Sequence, residues 1–117
     1  MSIPLFRWDG HYWGFLAEDI LYDRHGRQVG WVEVAPEAGG IRLDVYDRTG
    51  RFLGELVDAH YVLRRVVRAE PIHRAPRPAI PYPTPPAPPP DRTPRDPRDG
   101  WSDALPWPLP PPAPPRV

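Results

Sequence analysis

Nineteen of the 21 prolines lie from Pro71 onward, and only Pro4 and Pro36 precede them. Proline has no amide proton and a fixed φ, so a segment this rich in it cannot build a core of its own. The 117-residue chain therefore divides into a head, residues 1–70, and a proline-rich tail, residues 71–117. Ten aromatic residues fall in the head. A head this size buries only roughly 60% of the surface its unfolded chain exposes. Large rings are the efficient way to fill its core.

The head repeats itself. Residues 5–16 (LFRWDGHYWGFL), 21–32 (LYDRHGRQVGWV) and 45–56 (VYDRTGRFLGEL) align without gaps. Phe6 matches Tyr22 and Tyr46, Gly10 matches Gly26 and Gly50, and Gly14 matches Gly30 and Gly54. Each unit reads as a β-hairpin. Asp23 and Asp47 start turns that Gly26 and Gly50 close, a pattern that suits a type I turn followed by a left-handed residue. An Asp at that place accepts bonds from amides two residues on. Arg7 stands where the other units have Asp, which leaves the first turn free to differ. Gly14, Gly30 and Gly54 fall inside returning strands, where glycine marks a bulge, a bend or a close backbone approach. EVAPEAGGI, residues 33–41, reads as a longer loop. Asp58-Ala59 turns the chain into a last strand at 60–67, which has no glycine pair and closes the set. Short hairpins with apolar residues on both faces predict an all-β domain, closed or radially arranged so that few edges stay open.

In the tail, proline runs favour an extended polyproline II spacer or a disordered segment, with a docking peptide for an aromatic groove as the sharper reading. One island differs. Residues 99–107 (DGWSDALPW) hold two tryptophans, and within them Gly100, Trp101, Asp103, Ala104 and Leu105 form a candidate interaction motif. Trp101, Ala104 and Leu105 fit one face of a single helical turn capped by Asp99 or Ser102. Such a motif orders on binding, either to an unknown protein partner or intramolecularly, by docking of the tail on the head.

The repeated Tyr-Asp-Arg-x-Gly and Gly-x-x-x-Gly patterns, the opening LFRWDGHYWGF, the segment LGELVDAHYVLRR, the proline-rich tail and the late Gly-Trp-Ser-Asp-Ala-Leu together resemble the 4-fold beta flower proteins. That resemblance implies petal-like hairpins about a pseudo-fourfold axis, a flower or shallow barrel, with a loose likeness to the barrel of the tubby C-terminal fold. It implies no activity. The chain departs from the pattern in the longer segment between its second and third units and in the missing glycine of the last.

Chemistry is restricted by what the chain lacks. It has no cysteine or lysine, and the head's serine and threonine are limited to Ser2 and Thr49, so an acyl-transfer triad is not expected and thiolate metal sites are excluded. His11, His25, His60 and His73 lack ligand spacing, so no metal and no cofactor is expected. No catalytic residue is assigned, since Asp23 and Asp47 recur as turn formers. Net charge is zero and acids outnumber arginines in the head, so nucleic acid is not an expected partner. Exclusive use of arginine, with no asparagine, points to a GC-rich bacterial genome. No apolar stretch is long enough to span a membrane and no secretory signal is visible, which makes the cytoplasm the expected location. The expectation is a non-enzymatic protein-interaction module with a short linear motif in its tail. The alternative is a small-molecule or lipid-binding domain with an aromatic groove lined by Trp8, Trp13 and Trp31.

Overall fold

A computed structural model describes residues 2–66, 73–78 and 80–105. The described residues are all-β: β1 (Ser2–Phe6), β2 (Tyr12–Ala17), β3 (Ile20–Asp23), β4 (Gln28–Glu37), β5 (Gly40–Asp47), β6 (Phe52–Val57), β7 (Tyr61–Arg65) and β8 (Trp101–Asp103). Consecutive strands pair antiparallel in chain order. Alternation over seven strands leaves β1 and β7 pointing the same way, so they close the barrel through a parallel contact, Phe6 opposite Tyr61. The Phe6 amide donates to the His60 carbonyl at 2.8 Å beside it. β8 adds to β7 as an eighth strand. No helix among the described residues is long and apolar enough to cross a membrane.

The main core takes an equivalent residue from each odd strand: Leu5, Leu21, Val45 and Val62, joined by Trp13, Leu16 and Leu105. Two satellite clusters lie around it. One is built from Phe6, Tyr12, Tyr61 and Leu63, the other from Trp31, Tyr46 and Phe52. Rings pack across hairpin junctions, Phe15 on Tyr22 at 5.1 Å and Trp31 on Tyr46 at 5.8 Å, both stacked.

Residues 33–41, expected as a loop, are a β-ribbon. Glu33 pairs with Asp44 and the register runs unbroken to Glu37 opposite Gly40. Pro36 is tolerated because a projecting two-stranded ribbon has outer edges that need no donor. Arg42 and Arg65 brace the ribbon. Arg42 Nε lies 2.7 Å from Asp44 and Arg65 Nη2 lies 3.1 Å from Glu37.

Candidate functional site

The three hairpin turns are built alike. The Gly26 amide donates to the Asp23 carbonyl at 3.0 Å, and the Asp23 amide to the Arg27 carbonyl at 2.9 Å. Gly50 and Asp47 repeat this at 3.0 and 2.8 Å. Asp23 Oδ1 accepts from the amides of His25 and Arg27, and Asp47 Oδ1 from those of Thr49 and Arg51. The first turn has the same backbone bonds with Arg7 at its start and differs in its side-chain acceptor. Asp9 supplies the acceptor there, taking the His11 amide at 3.1 Å. Gly14, Gly30 and Gly54 mark close approaches. A Cβ on each would collide with the carbonyl of Tyr22, Tyr46 or Leu63 on the next hairpin.

The turn glycines meet a second demand. Gly10, Gly26 and Gly50 have φ of 98°, 83° and 88°. A Cβ on them would also strike the carbonyls of Arg92, Tyr82 and Arg74. The tail visits the turns in reverse order. The Arg74 amide donates to the Gly50 carbonyl at 2.7 Å, Tyr82 to Gly26 at 2.8 Å and Arg92 to Gly10 at 2.8 Å. Each of these residues also covers the ring before its turn. Arg74 lies 4.9 Å over Tyr46, Tyr82 lies 5.2 Å from Tyr22, and Arg92 lies 4.1 Å over Phe6. Asp91 Oδ1 accepts the Tyr12 amide at 2.9 Å, and Gln28 Oε1 accepts the Ile80 amide at 2.9 Å.

Within the motif of residues 100–105, Trp101–Asp103 form a strand in place of the expected helical turn. β7 offers a free ladder, and Leu63, Arg64 and Arg65 pair with Asp103, Ser102 and Trp101. Gly100, with φ of 80°, precedes this strand as Gly10, Gly26 and Gly50 precede theirs. Ala104 stands where those hairpins carry Gly14, Gly30 and Gly54, and its amide donates to the Val62 carbonyl at 3.0 Å. Leu105 is 2% exposed in the main core. Arg7 Nη1 donates to the Leu105 carbonyl, and the Trp8 amide to Asp103 Oδ2 at 2.8 Å. Burial pushes the Asp103 carboxyl above the ordinary range, against the Trp8 amide and the Arg7 charge. Trp107 lies outside the described residues, as does the remainder of the tail from 106, where disorder was expected.

Trp8, Trp13 and Trp31 do not share a groove. Trp13 and Trp31 are buried in different clusters, where their large rings fill the core of a small domain. Trp8 instead faces the motif. Trp8, Trp101, Leu63, Arg7, Arg98 and Asp103 line a cleft of about 350 Å³ where the first turn, β8 and the tail meet. Trp8 Nε1 donates to the Asp96 carbonyl at 2.6 Å, and Arg95 lies 4.2 Å over the Trp8 ring. The cleft thus joins one residue of the expected groove to two of the expected motif.

The histidines are dispersed. His60 Nδ1 lies 2.8 Å from the Pro4 carbonyl and His11 Nδ1 lies 2.9 Å from Asp9. Among the described residues no cluster of three or more His, Cys, Asp or Glu could hold a metal. Three further arginines lie on rings. Arg64 covers Phe52, Arg65 covers Trp101 and Arg77 covers Trp31. Two features of the sequence correspond to this arrangement. One is the recurrence of Arg-x-Pro-Arg at 74–77, 92–95 and 95–98, and the other is the spacing of Gly100 and Ala104, which matches that of Gly10 and Gly14. No family model, no curated protein and no solved structure matches the chain.

Proposed function

We propose that this chain is a non-enzymatic interaction module of the beta-flower kind, in which four hairpin petals surround a pseudo-fourfold axis and hold an extended segment across their turns. The fourth petal is β7 with β8, completed by a tail that first travels around the other three. Support for the petal arrangement comes from the equivalent contacts of Gly14, Gly30 and Gly54 with the next hairpin. Support for a non-enzymatic role comes from Asp23 and Asp47, whose Oδ1 atoms are taken by turn amides. A bacterial source accords with the arginine-only composition.

The observation that carries the reading is the set of bonds from the amides of Arg74, Arg77, Tyr82, Arg92 and Arg95 to turn carbonyls. Main-chain bonds plus ring pockets are how peptide-binding domains hold extended ligands. Amide hydrogen exchange on the full chain tests it. Protection of these five amides is the expected result, and exchange at unfolded rates sinks the reading.

A second reading has its own observation, the cleft between Trp8 and Trp101. Its Trp8 and Trp101 rings suit a small planar ligand whose polar group reaches the Arg98 guanidinium, with Arg7 paired to Asp9 and Asp103 at the rim. A thermal-shift screen of aromatic carboxylates, repeated on Trp101→Ala, tests it. A ligand-dependent rise that the substitution abolishes supports this reading. No rise with any member of the screen dismisses it.

A further inference from the structure

Two stretches of the tail share both a sequence and a way of sitting on the head. Arg74-Ala75-Pro76-Arg77 lies on the third turn and Arg92-Thr93-Pro94-Arg95 on the first. In each, the first amide donates to the turn glycine, at 2.7 Å to Gly50 and 2.8 Å to Gly10. The fourth amide donates to the carbonyl two residues before that glycine, at 2.9 Å to Arg48 and 3.0 Å to Trp8. The first guanidinium covers the ring that precedes the turn, Tyr46 or Phe6. The fourth covers a tryptophan at close range, Arg77 over Trp31 at 4.1 Å and Arg95 over Trp8 at 4.2 Å. The second position, Ala75 or Thr93, is exposed and carries no contact that the pattern needs.

The second hairpin works as an internal comparison. Tyr82-Pro83-Thr84-Pro85 keeps the first contact, with the Tyr82 amide on Gly26 and its ring on Tyr22. Its fourth residue is proline, which has no amide to give, so the second bond is not available there. The step is therefore divisible, and Arg-x-Pro-Arg is its complete form.

We infer that the first and third hairpin turns of the head read the four-residue pattern Arg-x-Pro-Arg in an extended chain, and that the partner this face fits is an arginine–proline segment of another protein that competes with the tail. The inference rests on the interaction-module reading and names its partner class. Every position has a physical reason. Arginine presents a planar cation that stacks on a ring, where lysine presents a hydrated point charge. Proline holds the backbone extended before binding, which reduces the ordering cost. Glycine in the turn is what lets the peptide carbonyl approach. A tethered tail competes at an effective concentration of order millimolar. A partner therefore succeeds where one step is vacated or where it carries several steps in register.

The test vacates one step in the full chain with Arg92→Ala/Arg95→Ala and adds the eight-residue peptide of residues 91–98. The Trp8 indole and Gly10 amide are followed in ¹H–¹⁵N spectra, since Trp8 Nε1 bonds to Asp96 and the Gly10 carbonyl accepts Arg92. Expected are saturable shifts at both signals, with affinity weakened about tenfold when the peptide arginines are replaced by lysine. Absence of saturable shifts, or equal binding by the lysine peptide, overturns the pattern. If that variant does not fold, Arg74→Ala/Arg77→Ala with the peptide of residues 73–78 asks the same question at Gly50. Wild-type amide exchange separates the two failures. Protected Arg92 and Arg95 amides without binding in trans overturn the recognition pattern alone. Unprotected amides overturn the interaction-module reading and this inference together.

Discussion

The Trp8 amide donates to Asp103 Oδ2 at 2.8 Å and so ties the first turn to the last strand. At two other junctions the corresponding bond ends on a backbone carbonyl, Arg24 to Trp13 and Arg48 to Val29, both at 2.9 Å. A titratable side chain thus stands in for a carbonyl where the repeat is closed by a segment distant in sequence.

That substitution makes closure respond to pH. Burial raises the Asp103 carboxyl above its unfolded value, and the Trp8 amide and Arg7 only partly oppose it. The native state then binds the proton more tightly than the unfolded state, so this group's contribution falls as pH rises through the range just above the ordinary aspartate value. Asp103→Asn keeps an acceptor for the Trp8 amide and removes the titration. Urea midpoints from about pH 3.5 to 6 should show a falling wild-type contribution relative to the variant. Parallel profiles contradict this.

Glu33 runs the other way. The Trp31 indole bond, 2.8 Å to Oε2, holds its carboxyl below the usual range against partial burial, helped by Arg74. Its stabilising contribution is present at neutral pH and is lost as pH falls through the native value. Glu33→Gln should remove that acid-side loss and shift Trp31 fluorescence. A variant with an unchanged acid limb would show that the indole bond does not form in solution.

Glycine substitutions separate backbone strain from tail contact. Gly39, with φ of 86°, has open space around a would-be Cβ, whereas at Gly50 that atom meets the Arg74 carbonyl. Gly39→Ala should cost about 1–2 kcal/mol from the left-handed conformation alone. Gly50→Ala should cost more in denaturant titrations and should also free the Arg74 amide to exchange. Equal costs, with Arg74 still protected, would place the tail off the third turn.

Leu105→Ala should cost about 2–5 kcal/mol, as expected for a leucine removed from a packed core. Guanidinium denaturation reads the loss. The same variant should weaken protection at Leu63 and Arg64, which pair with β8. A cost below about 0.5 kcal/mol, the ordinary scale for a surface site, would mean that the motif does not enter the core.

Much of the head was legible because its determinants are local. Asp23, Gly26, Asp47 and Gly50 specify their turns through bonds that close within a few residues, and alternation around them specifies hairpins. The ribbon at residues 33–41 was misread because glycine and proline there look like loop residues until a partner strand is counted. Trp13 and Trp31, which the alternative reading offered as groove residues, are core in a domain this small. The helical reading of Trp101, Ala104 and Leu105 failed because three residues fit either period. A waiting strand, β7, then decided between them.

By itself the sequence determined that there are three like hairpins, where each one turns, and that a proline-rich stretch cannot form its own sheet. Tertiary structure alone decided where that stretch goes. Proline interrupts regular ladders there, and the amides of Arg74, Tyr82 and Arg92 bond instead to Gly50, Gly26 and Gly10, far away in the chain. The same holds for Leu105, whose burial depends on an opening that exists only after the first seven strands have closed.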